Sequence, residues 1–134
     1  MGTVDYLVVG AGACAMAFVD EVFQASEATF AIIDRRHAPG GHWNDAYPFV
    51  ELHQPAAGYG VASVPFGSDR LDTSGYNEGM QSLASGVEVA SHFHGFMRDA
   101  LLPSGRVRYL PMTEYLGDGE CRSLLSGAWQ PPAK

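Results

Sequence analysis

Gly10, Gly12 and Ala15 stand in a Gly-x-Gly-x-x-Ala spacing, and Asp34 follows 24 residues after the first glycine. Each member has a physical task in holding a dinucleotide. Gly10 permits the tight turn out of a strand. Gly12 lets the backbone approach a pyrophosphate. Ala13 lies in the same turn, and Ala15 is small enough for a helix to pack closely on the strands. The start of that helix offers unpaired N–H groups and partial positive charge to an anion. Asp34 is placed to accept hydrogen bonds from ribose hydroxyls. A glycine turn in an unrelated α/β protein is the other reading of the same spacing.

The elements around these residues favour the first reading. Residues 4–9 (Val-Asp-Tyr-Leu-Val-Val) are a near-continuous apolar run, the pattern of a parallel strand covered on both faces. Ala15, Phe18, Val19, Val22 and Phe23 then recur at helical spacing. Residues 30–34 make a second short apolar strand ending in the acid. Strand, glycine turn, helix and strand are the βαβ order. The spacing serves FAD and NAD(P) alike. Asp34 repels a 2′-phosphate, whereas Arg35 and Arg36 either pair with one or lie on a solvated turn.

Residues 37–75 are rich in glycine, proline and aromatics and lack periodicity, as in a functional loop region. Asn77 is expected to cap a short helix through residue 83, and a longer helix is expected over 89–102, with Phe93, Met97 and Leu101 as a core stripe. A third strand is expected over 106–110. Residues 113–116 and 120–125 flank Gly117-Asp118-Gly119 as a β-hairpin. The sequence therefore predicts an α/β chain: a Rossmann-like βαβ unit with a parallel sheet, then a C-terminal hairpin. Residues 1–127 form one partial dinucleotide-binding domain in this reading, and 128–134 an irregular tail. A lone hairpin leaves its outer edge open, so the domain reads as incomplete.

With 134 residues, 46% apolar and 17% charged, the chain is long enough for one packed domain. Fifteen acids against eight bases give a net charge of −7, which opposes binding to nucleic acid. No apolar run approaches the roughly 20 residues that span a bilayer. The start lacks a basic region, and Asp5 interrupts its apolar run, so a secretory signal is a poor reading. Cys14 and Cys121 have no metal-ligand spacing, which makes a reducing cytoplasm the default setting.

Beyond Asp34 the chain reads Arg35-Arg36-His37-Ala38-Pro39-Gly40-Gly41-His42-Trp43, then Asp45-Ala46-Tyr47-Pro48. An acid, a short basic turn, Gly-Gly-x-Trp and a nearby Tyr-Pro resemble the flavin-containing monooxygenases and the wider FAD/NAD(P)-dependent oxidoreductases. That resemblance implies FAD as cofactor, with Gly10, Gly12, Ala15 and Asp34 as contacts and Arg35, Gly41, His42 and Trp43 as further candidates. It implies that residues 52–61 run near the isoalloxazine, where Gln54 either bonds a flavin edge or is an ordinary loop amide. The second glycine fingerprint that holds NADPH in that family has no counterpart here, so NADPH is expected only for an intact homologous enzyme. The resemblance thus implies the FAD-binding first part of a monooxygenase-like protein, not catalytically complete alone. An NAD(P)-binding Rossmann protein and a non-catalytic remnant are the alternatives.

Other chemistry-bearing residues have plainer readings. His92 and His94 point to different faces of a helix, which opposes a shared metal. His42 and His53 either serve a flavin as donor or acid–base groups or pack within the loop. Cys14 reads as a small buried packing residue. Trp43 either stacks on a cofactor or plugs the loop.

Overall fold

A computed structural model describes residues 3–67 and 70–130. The order is β1 (Tyr6–Val9), α1 (Ala13–Ala25), β2 (Phe30–Ile33), α2 (Gly86–Gly95), β3 (Val107–Leu110), β4 (Thr113–Gly117), β5 (Glu120–Ser123) and β6 (Trp129–Gln130). The first three strands form a parallel sheet in the order β1-β2-β3, with Tyr6 opposite Phe30 and Phe30 opposite Val107. The chain is therefore α/β, as its apolar runs predict.

β2 is the central strand, and all four of its residues are buried. Alternation along the strand sends Phe30 and Ile32 to one face and Ala31 and Ile33 to the other. Phe30 and Ile32 join a core that takes Met16 and Val19 from α1 and Val89, Phe93, Phe96, Met97 and Leu101 from the second helical segment. The expected stripe of Phe93, Met97 and Leu101 is thus core. Burying side chains of this size contributes about 1.5–3 kcal/mol each. Arg106 ties the end of α1 to the sheet: its guanidinium lies 4.2 Å from the Phe23 ring centre and donates to the carbonyls of Phe23, Ser26 and Ala28.

The second helical segment departs from expectation at its start. Ser85 and Glu88 form a reciprocal capping box, so α2 begins at Gly86 rather than at 89. It continues through a π-helical turn (Phe96–Leu101) and a 3-10 turn (Leu102–Ser104), and ends where Gly105 takes φ +71°. The short helix expected over 77–83 is absent. Asn77 instead donates to the Asp72 carboxylate and the Gln81 carbonyl, and this stretch makes single bridges, Leu71 to Gln81 and Asp72 to Glu78. Its side-chain bonds satisfy a turn, not a helix.

The expected hairpin forms from β4 and β5. Positive φ at Gly117, Asp118 and Gly119 makes the turn. β6 pairs antiparallel to β5, so residues 129–130 extend the hairpin to three strands rather than joining an irregular tail. Residues 131–134 of that expected tail lie outside the described residues. Among the described residues, no helix is long and apolar enough to cross a membrane.

Candidate functional site

A cavity of about 400 Å³ opens where β1 and β2 end, and Gly10, Gly12, Asp34, Arg35, Gly41 and His42 line it. These are six of the ten residues named from the sequence. β1 runs directly into Gly10, whose φ of +101° turns the chain, and a side chain there would meet no atom within 4 Å. The glycine backbone therefore faces open space. Gly12 precedes the first turn of α1, which no side chain caps and which holds no acid. The helix thus presents its positive end to the cavity without an internal anion.

Asp34 directly follows β2 and is only 5% exposed. One carboxylate oxygen accepts the Ala11 N–H at 2.5 Å, and the other accepts the Arg36 N–H at 2.7 Å. The acid therefore locks the glycine turn onto the end of β2. A carboxylate oxygen has room for two hydrogen bonds and each of these accepts one, so both retain acceptor capacity for a further donor such as a hydroxyl.

The Gly-Gly turn packs on the glycine turn. Gly40 donates to the Ala11 carbonyl at 2.8 Å, and Gly41 sits against Gly12. The Asn44 side chain holds this turn by donating to the carbonyls of Ala38, Pro39 and Gly41. Glycine is required at 40 and 41, where φ is +116° and +59°.

The remaining candidates stand elsewhere. Ala13 and Ala15 pack their small side chains against the core behind the cavity. Trp43 faces the other way: its Nε1 donates to the Tyr59 hydroxyl at 2.9 Å, and its ring borders a separate cavity with His37, Tyr47 and His94. That contact ties residues 43 and 59 of the loop together. Gln54 is exposed and borders none of the cavities described here. His53 borders an apolar cavity with Tyr47, Phe49, Tyr76 and Met80, apart from the glycine turn. Cys14 is exposed rather than buried, because it lies in the first turn of α1 on the solvent side. His92 and His94 diverge. His92 accepts the Val61 N–H at 3.1 Å, while His94 borders the Trp43 cavity.

Sequence reasoning missed the third wall of the cavity. Thr113, Glu114 and Tyr115 of β4 line it together with Arg36. Thr113 N–H donates to the Asp34 carbonyl at 2.9 Å and Met112 N–H to that of Arg36 at 3.0 Å, which brings β4 across the end of β2. The expected third strand, which pairs parallel to β2, carried a usable signal. Its C-terminal end, like those of β1 and β2, lies on the side of the sheet where α/β ligands bind.

Two clasps hold the loop beside the site. Asp20, buried in α1, accepts the Ser63 N–H at 2.9 Å and the Ser63 hydroxyl. His92 lies tilted against the Phe66 ring, 4.6 Å between centres, and faces Gly60, where any Cβ would lie 2.4 Å from its Nε2. Burial holds the His92 pKa below the usual histidine value, against an opposing pull from Asp20. On β3, burial and the nearby Asp34 charge push the Tyr109 phenol far above its ordinary range.

No family model matches the chain. Over 120 residues it is 52% identical to uncharacterized proteins of Mycobacterium bovis and Mycobacterium tuberculosis, covering 90% of this chain and 22% of each relative. The chain thus spans about a fifth of the length of the curated relatives it matches. Its fold is similar to that of a flavin-containing monooxygenase from Stenotrophomonas maltophilia, with a TM-score of 0.59 at 18% identity over 96% of this chain and 36% of that one. It is similar also to cyclohexanone monooxygenase in its open crystal structure, with a TM-score of 0.57 at 18% identity over 99% of this chain and 26% of that one. At these identities the likeness is one of fold: a flavin-monooxygenase-like α/β arrangement.

Proposed function

We propose that this chain is the FAD-binding N-terminal portion of a flavin-dependent, monooxygenase-like oxidoreductase and does not complete a catalytic cycle alone. One observation carries the reading. Bare glycine backbone, the uncapped start of α1, Asp34 and the Gly41-His42 turn converge on one cavity. That donor set suits a dinucleotide: N–H groups and helix polarity for a pyrophosphate, a carboxylate for a ribose. The likeness to flavin monooxygenases supports flavin as the remainder of the ligand.

In this reading, Gly10, Gly12 and the first turn of α1 hold the pyrophosphate, Asp34 holds the adenosine ribose, and Arg35, Gly41 and His42 border the cofactor. A bound flavin supplies the redox chemistry, while this chain binds and orients it. The oxidised substrate and the site for a reducing nicotinamide cofactor belong to the whole protein.

Thermal unfolding with and without FAD tests the proposal. A ligand that binds only the native state at a hundred times its Kd stabilises by about 2.7 kcal/mol, which raises the melting temperature by several degrees. A yellow protein that melts higher with FAD supports the reading. A colourless one that responds to NADH and not to FAD replaces it with a nicotinamide site. No response to either indicates a non-binding remnant.

A further inference from the structure

The Arg35-Arg36 pair leaves the sequence undecided between a free adenosine 2′-hydroxyl and a 2′-phosphate. The structure places an acid against each arginine. Arg36 Nε lies 2.5 Å from Asp45 Oδ2. Arg35 Nε lies 3.9 Å from Glu114 Oε1, and the other oxygen of Glu114 lies 2.5 Å from Arg122 Nη2. Glu114 and Arg122 are register partners across β4 and β5, so this carboxylate is fixed at the cavity wall.

We infer that Glu114 makes the ribose end of this cavity selective for adenosine with a free 2′-hydroxyl and against adenosine 2′-phosphate. The inference rests on the dinucleotide reading of the cavity. Arg35 and Arg36 contribute two positive charges to its lining, and Asp34 and Glu114 two negative ones, so the lining has no surplus of cations. A 2′-phosphate brings about −1.5 to −2 charges and needs free guanidinium groups to pair with. Glu114 pairs with Arg122, stands 3.9 Å from the exposed Arg35, and adds its own repulsion. Those two arginines also hold its carboxyl below the ordinary glutamate range, so it is charged at neutral pH. FAD and NAD pass this filter, and NADP does not.

The test compares ADP-ribose with 2′-phospho-ADP-ribose by calorimetric titration. The wild-type chain should prefer ADP-ribose by about tenfold or more, and Glu114→Gln should shrink that preference at least about fivefold. The double variant Glu114→Arg with Arg122→Glu keeps a cross-strand ion pair while reversing the charge at the wall. It should favour the 2′-phosphate, and it guards against a fold defect in the single variant. A wild-type preference for ADP-ribose that neither variant alters overturns the assignment to Glu114 alone. A wild-type chain that binds neither nucleotide overturns the ribose-site reading and this assignment with it.

Discussion

Gly12 and Gly41 touch backbone to backbone. A Cβ built on Gly41 would lie 2.9 Å from the Gly12 Cα, whereas one built on Gly12 would lie 3.7 Å from the Gly41 Cα. The contact is asymmetric, and it couples the two glycine-rich turns that line the candidate nucleotide cavity.

This asymmetry separates folding from binding. Gly41 also has φ +59°, so Gly41→Ala adds left-handed strain of about 1–2 kcal/mol to the clash. Urea unfolding should show at least that loss. Gly12 has φ −78°, which alanine adopts freely, and Gly12→Ala should cost no more than about 1 kcal/mol. Its defect should fall on ligand affinity, because the added methyl keeps a pyrophosphate from the backbone. FAD titration of the two variants checks both halves. Gly12→Ala that binds FAD like wild type contradicts the assignment of the pyrophosphate to that turn.

Asp34 is expected to matter even without ligand. Asp34→Ala leaves the Ala11 N–H without its acceptor, and Ala11 is fully buried. An unsatisfied buried donor costs about 1–3 kcal/mol. Asp34→Asn keeps one acceptor oxygen for two N–H donors and should lose less. Chemical unfolding of both variants, with no nucleotide present, gives the order. Equal stability of wild type and Asp34→Ala would mean that the acid serves the ligand alone.

The parts of this molecule legible in the sequence are those set by local pattern. Apolar runs give the β1–α1–β2 unit, and bare glycine spacing gives the turn at its heart. The start of α2 is also written locally, as Ser85-x-x-Glu88, one turn ahead of the Val89 and Phe93 spacing that marks its core face. The role of β4 was not legible, because Glu114 reaches the cavity through backbone bonds between residues 34–36 and 112–113. Asp20 shows the same limit. It sits in the apolar stripe of α1, and the partner that accounts for it, Ser63, is 43 residues away.

Asp20 should therefore be a sharper determinant of stability than its place in a helix suggests. Asp20→Asn keeps the shape but turns an N–H donor or a single oxygen toward the Ser63 N–H and hydroxyl. Hydrogen bonds to a charged acceptor are worth about 1.5–3 kcal/mol each, so a loss of about 1–3 kcal/mol is expected. Ser63→Ala keeps the backbone bond and should lose less. Amide exchange at residue 63 should quicken in Asp20→Asn. Unchanged exchange would show that the loop is held without this clasp.

His92 gives the loop a pH dependence whose direction follows from its burial. The ring accepts the Val61 N–H through Nε2, which requires the neutral form, and burial lowers its pKa in the folded chain. The unfolded chain takes up a proton near pH 6.5, while the folded chain resists it. The resulting stability is fully present above about pH 6.5 and is lost as pH falls below it toward the folded pKa. Neighbouring Asp20 favours the protonated ring, so it moderates the loss without reversing it. His92→Gln offers an amide oxygen to the same N–H with no titration. Unfolding free energies between pH 8 and 5 should therefore decline less steeply in His92→Gln than in wild type (about one pH unit of separation in pKa corresponds to 1.36 kcal/mol). Parallel pH profiles for the two proteins would place the acid sensitivity in another group.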